Sequence, residues 1–286
     1  MEFTTTLLGH FTRRIQFLHP SGYVPGIAKL TRFAKRHLPQ VDADVILPNG
    51  VRMQLNTRSS VPRTIFFFGT FQPAVVHLFR KRLSKGMYCL DVGANHGYFA
   101  LDFAQHIGPT GKVAALEANP ELVAYIRTMA TRNRFAHLEV VADIIHEKSG
   151  MEMNFYVTKG TGGSSVDPTR VSEKDSQSIR STTLSIDDFI ATHAWPRLDV
   201  IKMDIEGADC YGLLGASESI ARFRPFIIFE FNWDTPSEVI ERTKKMLAEY
   251  SYSLTVVYAN GSLGPFTWKK PADSDLNHVD VVCTPD

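Results

Sequence analysis

Tyr88-Cys89-Leu90-Asp91-Val92-Gly93-Ala94-Asn95-His96-Gly97-Tyr98-Phe99 sets an apolar run against an acid, then a turn with two glycines four apart, then an apolar segment able to begin a helix. The pattern predicts a strand, a loop and a helix N-terminus. Backbone N–H groups at such a turn, with the positive end of the helix dipole, form a site for an anionic or polar ligand group. Asp91, at the carboxyl end of the strand, adds a carboxylate toward the same crevice. Twenty residues beyond Gly97, the apolar run Val113 to Leu116 ends in Glu117. That is where nucleoside-binding sheets place an acid on ribose hydroxyls.

What the turn lacks narrows the ligand. A nicotinamide or flavin fingerprint has three glycines so that the backbone can approach a pyrophosphate, whereas this turn reads Gly93-Ala94-Asn95-His96-Gly97. A nucleoside whose sugar carries an amino acid instead of phosphates needs the ribose acid and a small-residue turn, with Asp91 for an amine. S-adenosylmethionine meets that description.

Outward from the turn, apolar runs and helical periodicities alternate, which predicts a mostly parallel sheet with helices on both faces. Strands are expected at 87–91, 113–117, 138–142, 199–204, 226–231, 252–258 and 279–283, and helices at 97–107, 120–132, 208–221 and 236–250. Between the third and fourth of these strands lies an excursion: 151–157 alternates as a strand, 160–165 is a Gly/Ser/Thr loop and 169–181 is polar. It reads as a lid, a substrate loop or a plain surface connection. Upstream, Pro48-Asn49-Gly50 between Val45-Ile46-Leu47 and the run Val51 to Leu55 predicts a β-hairpin, and 73–83 reads as a helix leading into the Asp91 strand.

The second informative run is Asp199-Val200-Ile201-Lys202-Met203-Asp204-Ile205-Glu206-Gly207. In an extended strand Lys202, Asp204 and Glu206 share one face. A central parallel strand is normally apolar on both faces, so this stripe needs a reason. Strand carboxyl ends line the ligand crevice, where Asp204 and Glu206 would orient a nucleophile or take its proton. A structural ion pair of Lys202 with a carboxylate is the competing account. Glu230 closes a further apolar strand, and Asp143 is placed either to accept from an adenine amino group or to face solvent. No His/Cys/Asp set has metal spacing, and no nucleophile-elbow or P-loop sequence occurs.

These motifs together, Asp91 to Gly97, Glu117-Ala118-Asn119-Pro120 and Val200 to Asp209, resemble the FkbM family of S-adenosylmethionine-dependent methyltransferases. Thr182-Thr183-Leu184-Ser185-Ile186-Asp187-Asp188 is similar to a segment that the family carries before the fourth strand, with Ser185 in place of an acid. The resemblance spans about Gly69 to Cys283. It implies a Rossmann-like α/β fold, the seven-strand methyltransferase sheet with its last strand antiparallel, and methyl transfer to a hydroxyl of a sugar, polyketide or other small molecule. Carried over by position, it assigns Asp91, Gly93, Asn95, Gly97 and Glu117 to the cofactor and Asp204 and Glu206 to the acceptor; beside them Ala94, Asn119 and Asp143 join the candidate cofactor set and Lys202 the candidate catalytic set. Residues 63–286 form the methyltransferase domain on this reading, and 1–62 an accessory helix and hairpin. Phe71-Gln72-Pro73 departs from the family's aromatic-Glu-Pro, removing a charged contact to the methionine amine. An N-methyltransferase, a nicotinamide oxidoreductase and a non-catalytic binding or membrane-associated module are the alternatives.

Composition bounds the rest. With 286 residues, 44% of them hydrophobic, the chain can bury one sizeable core and a small accessory region. Cys89, Cys210 and Cys283 lie apart in apolar runs, as reduced core thiols do, and Arg13, Arg14 and flanking histidines interrupt the apolar N-terminal stretches. Both features predict a cytoplasmic protein. The net charge of +1 hides an asymmetry: residues 1–86 carry 13 Lys and Arg against 3 acids, the remainder 18 against 27. The acidic remainder disfavours nucleic acid as a partner. Ile27, Leu30, Ala34 and Leu38 predict a basic amphipathic helix that packs on its own domain, on a second copy in a homodimer, or on an anionic membrane surface.

Overall fold

The computed structural model describes residues 40–158, 164–170, 176–272 and 274–286. The basic helix expected around Ile27 to Leu38 and much of the Gly/Ser/Thr loop lie outside them. In chain order the strands and helices are β1 (Asp42–Ile46), β2 (Arg52–Asn56), α1 (Ser60–Phe68), α2 (Pro73–Arg80), β3 (Tyr88–Val92), α3 (Tyr98–Ile107), β4 (Lys112–Leu116) and α4 (Pro120–Arg132). There follow β5 (Leu138–Val141), β6 (Ile144–Ile145), β7 (Glu152–Thr158), β8 (Ser176–Leu184), α5 (Ile186–Thr192), β9 (Val200–Met203), α6 (Asp209–Leu214) and α7 (Ser217–Phe223). The chain closes with β10 (Phe226–Asn232), α8 (Ser237–Glu249), β11 (Tyr252–Val257), β12 (Leu263–Pro265) and β13 (His278–Pro285).

The main sheet has the order β12-β11-β13-β10-β9-β3-β4-β5. Strands β5, β4, β3, β9 and β10 run parallel, and β13 inserts antiparallel between β10 and β11. All seven expected strands are present, and the expected architecture with its antiparallel last strand is found. The short edge strand β12 is an eighth that the sequence reading did not include. Parallel strands are covered on both faces, and two clusters do so here. One packs Phe79, Phe99 and Phe103 against Cys89, Val200 and Ile228; the other packs Phe189, Trp195, Leu213 and Leu247 against Leu90, Ile201 and Ile227.

Two local expectations are corrected, and the Ser185 departure finds its role. The helix expected over 208–221 is two helices, because Gly215 lies against the His146 backbone, with an added Cβ placed 2.3 Å from His146 O. The Asp187 carboxylate then caps α7, accepting from Glu218 N at 3.0 Å and Ser219 N at 2.8 Å. The polar stretch 169–181 is not all loop, since β8 pairs antiparallel with the full length of β7; its side chains are polar because most of both faces meets solvent. Ser185 is a helix cap: its Oγ accepts from Asp188 N at 3.1 Å at the start of α5.

The hairpin β1–β2 closes on the domain. Val45, Leu47, Met53 and Leu55 enter the same apolar cluster as Phe99 and Ile126, and Asn49 of the predicted turn donates to Asp102 of α3 at 2.6 Å.

Candidate active site

A cleft of about 250 Å3 opens at the carboxyl ends of β3, β4 and β9. Its floor is the Gly93-Ala94-Asn95-His96 turn; Glu117 and Asn119 form one side, and Lys202, Asp204 and Glu206 another. Asp143 also lines it. Asp91 and Gly97 lie beneath this surface.

The turn is built differently from an anion cradle. Gly93 N and Ala94 N both donate to Leu116 O, at 2.9 and 3.1 Å, and Gly97 N donates to Ala94 O at 2.7 Å. Asn95 N donates to Glu117 Oε2 at 2.7 Å. These amides are consumed inside the fold, so the expected set of N–H groups facing a ligand is corrected. The turn instead supplies room and a held carboxylate, which agrees with the absence of a pyrophosphate fingerprint.

Glu117 is that carboxylate. Its Oε1 accepts from Asn119 N at 2.9 Å while Oε2 takes Asn95 N. Each oxygen keeps a lone pair for a hydroxyl, which suits the vicinal diol of a ribose. Burial pushes its pKa up, while the two amides and Lys202 oppose the shift. Asn119 has a second task, since its Oδ1 caps α4 through Glu121 N at 3.0 Å.

Asp91 is fully buried. Its Oδ2 accepts from Ala100 N at 2.8 Å, tying the strand to the first turn of α3, and its Oδ1 has no hydrogen-bond partner among the described residues. Burial raises it to about 6, against the pull of Lys202. An orphaned carboxylate oxygen carries a desolvation cost of about 1–3 kcal/mol, and a ligand ammonium or its water would remove it. Both carboxylates therefore fit a cofactor with a ribose and an amine.

The Lys202 stripe is only partly a strand. Strand β9 ends at Met203, and Asp204 and Glu206 sit in the turn that follows, with Glu206 at φ 53° and Gly207 at φ 94°. Lys202 Nζ donates to Asp204 Oδ2 at 3.1 Å and lies 5.2 Å from the Phe99 ring centroid. The turn is braced from below by Asp209, which accepts from Ile205 N and Gly207 N at 3.3 and 3.2 Å.

The excursion, for which a lid or substrate loop is among the readings, does line the cleft, whereas sequence reasoning missed the residues near α1 that also close it. Ser59, Val61 and Phe71 from the region of α1 close one end, and Phe155, Thr158, Ser164 and Val166 of the excursion close another. The buried Ser165 pins the excursion, its Oγ donating to Glu206 O at 3.1 Å. Only the excursion's position between two site-bearing strands hinted at this. At Phe71-Gln72-Pro73, Gln72 has φ 46° and its Oε1 is buried without a hydrogen-bond partner among the described residues.

Residues 91–254 match the model of the methyltransferase FkbM domain. The chain belongs to the FkbM methyltransferase family. Its match covers the Asp91 turn, the Glu117 strand end and the Lys202 to Asp209 run. A Triticum aestivum protein-L-isoaspartate O-methyltransferase is 31% identical over 88 residues, 29% of this chain and 36% of the relative. One from Methanothrix thermoacetophila is 37% identical over 59 residues, 21% of this chain and 28% of the relative. This FkbM-family chain thus spans about a third of the length of the curated relatives it matches. Among solved structures it is similar to a methyltransferase FkbM from Methylobacillus flagellatus, at 18% identity and a TM-score of 0.45, over 71% of this chain and 44% of that one.

Among the described residues no helix is long and apolar enough to cross a membrane, and no group of three His, Cys, Asp or Glu side chains is arranged to hold a metal ion. Cys89, Cys210 and Cys283 are buried and unpaired, and burial raises all three thiols.

Proposed function

We propose that this chain is an S-adenosylmethionine-dependent O-methyltransferase acting on a hydroxyl of a small molecule, sugar, or glycan- or lipid-linked acceptor. The observation that carries this reading is the single cleft joining Glu117, whose oxygens are pre-set for a diol, to the Lys202–Asp204 pair 3.1 Å apart. When bound, S-adenosylmethionine supplies an electrophilic methyl on a sulfonium. Glu117 would hold the ribose, Asp91 the amine end, and Asp143 and Asn119 the base. Asp204 would accept the acceptor hydroxyl's proton at a carboxylate oxygen as the C–O bond forms and the methyl–sulfur bond breaks, its electron pair passing to sulfur, with Lys202 and Glu206 fixing the orientation. Much of the rate in such a displacement comes from alignment.

Incubation with S-adenosylmethionine carrying a 13C methyl group, against a panel of polyols, sugars and amines, tests the assignment. An O-methyl carbon resonance in a product is the expected result, and an N-methyl resonance with the amines alone favours the N-methyltransferase reading. Asp204→Ala is expected to lower kcat by about 10²-fold without abolishing turnover, as for loss of one proton-transfer group.

A further inference from the structure

Residues in register on neighbouring strands share a face of the sheet. Asp91 of β3 registers with Lys202 of β9, and Lys202 with Ile228 of β10. Two positions on, Glu230 of β10 stands directly opposite Asp280 of β13. Asp91, Lys202, Glu230 and Asp280 therefore form one polar row across the carboxyl end of the face that otherwise packs Phe79, Phe99 and Phe103.

Like charges directly opposite in an antiparallel pair destabilise the ladder. Local partners relieve this pair little. Glu230 Oε1 accepts from Asn232 Nδ2 at 3.0 Å, and its Oε2 lies 3.7 Å from Nε2 of the largely exposed His278. Lys202 is already committed to Asp204.

We propose that Glu230 and Asp280 hold a single proton between them and so act as positioning residues, leaving Lys202 bound to Asp204 at the cleft wall. The functional part rests on the reading of Asp204 as the group that meets the acceptor hydroxyl.

With both members of the pair ionised, Asp91, Asp204, Glu230 and Asp280 would all draw on the Lys202 ammonium, with Asp209 buried close by. A shared proton removes one competitor. Every element packed here contributes to the balance: burial raises Asp280 to about 7, Asp204 and Glu230 push it further up, and Lys202 and His278 oppose. Burial also raises Glu230, with Asp204 adding and His278, Asn232 and Lys202 opposing. Asp209, at the head of α6, is raised by burial and by Asp204 and Glu230, so it also stands against a fully ionised cluster. Carboxylates that interact across a strand pair titrate together, in two separated steps.

The test is carboxyl-13C NMR of the full chain labelled at Asp and Glu, titrated from acid to alkali. The wild type is expected to show one step in the usual carboxylate range and a second near neutrality, with the Asp204 carbon shifting as the second is crossed. Asp280→Asn should remove the upper step, bring Glu230 down and leave the Asp204 carbon unmoved where that step was. Glu230→Gln should do the same for Asp280, and it carries the test if Asp280→Asn does not fold. A single step for both groups in the usual range, or an Asp204 carbon unmoved in the wild type, overturns the proposal. Calorimetry with S-adenosylhomocysteine on the wild type separates the two readings: failure to bind refutes the methyltransferase assignment and leaves the titration result standing.

Discussion

The carbonyl oxygen of Asp204 lies 1.9 Å from where a Cβ on Gly93 would sit. Asp204 N donates to Val92 O at 2.9 Å, one residue before that glycine. The Gly93 floor and the Asp204 wall of the cleft are thus one backbone unit, joined at a point with no room for a side chain. Gly93 also has φ 73°. Gly93→Ala meets left-handed strain of about 1–2 kcal/mol and an overpacking cost of about 1–3 kcal/mol. The expected result is a fall in Tm of roughly 6 °C with loss of S-adenosylhomocysteine binding. A variant that melts with the wild type shows that the two loops are not locked together.

Glu117 is the residue on which the cofactor assignment turns. Both its oxygens are positioned by backbone amides, so the carboxylate needs no reorganisation to receive a diol. Hydrogen bonds to a charged group contribute about 1.5–3 kcal/mol each. Glu117→Ala should weaken S-adenosylhomocysteine by at least about tenfold in calorimetry. Unchanged affinity would remove the ribose from this carboxylate.

Where the sequence was legible, one physical signal dominated its neighbourhood. The apolar runs at 88–92, 112–116, 200–203 and 226–232 can only be covered strands, and Asp91, Glu117 and Lys202 are conspicuous because each interrupts or ends one. Illegible features depend on partners far along the chain. Nothing local to Gly215 announces that His146, 69 residues earlier, passes against it. Strand β8 carries no alternation because its faces are mostly wet, and the glycine turn gave no sign that its amides point inward to Leu116. Asp280 entered no motif, for its meaning lies in facing Glu230 across a strand pair formed 50 residues apart.

Asp102 shows how the N-terminal hairpin is held. It is buried in α3, and its Oδ1 accepts from Arg80 Nη2 and Asn49 Nδ2, both at 2.6 Å. Removing the carboxylate leaves the guanidinium and the turn amide without their acceptor. Loss of one member of a buried pair costs about 3–5 kcal/mol, reduced here because Arg80 is partly exposed. Asp102→Ala should therefore lower unfolding stability by about 2–3 kcal/mol, and amide exchange should accelerate first in 42–56. Uniform acceleration across the sheet would show that the hairpin unfolds only with the whole domain.

His96 makes the cleft floor sensitive to acid. Its Nδ1 bonds the Asn95 side-chain oxygen, its ring stands edge-on to Tyr125 with centroids 5.6 Å apart, and burial lowers its pKa to about 4. The folded imidazole thus stays neutral where the unfolded chain, near 6.5, takes up a proton. Stability from this group is complete above about pH 6.5 and declines as the pH falls toward 4. Asp91, raised to about 6, works in the opposite sense, gaining its proton in the fold before the unfolded chain does. Comparing His96→Gln with the wild type cancels the Asp91 contribution. Between pH 7 and 4.5, urea unfolding should show the variant losing less stability than the wild type, by on the order of 1 kcal/mol after allowance for partial screening. Parallel declines would mean that the ring is protonated in the fold and that Asn95 accepts from an imidazolium.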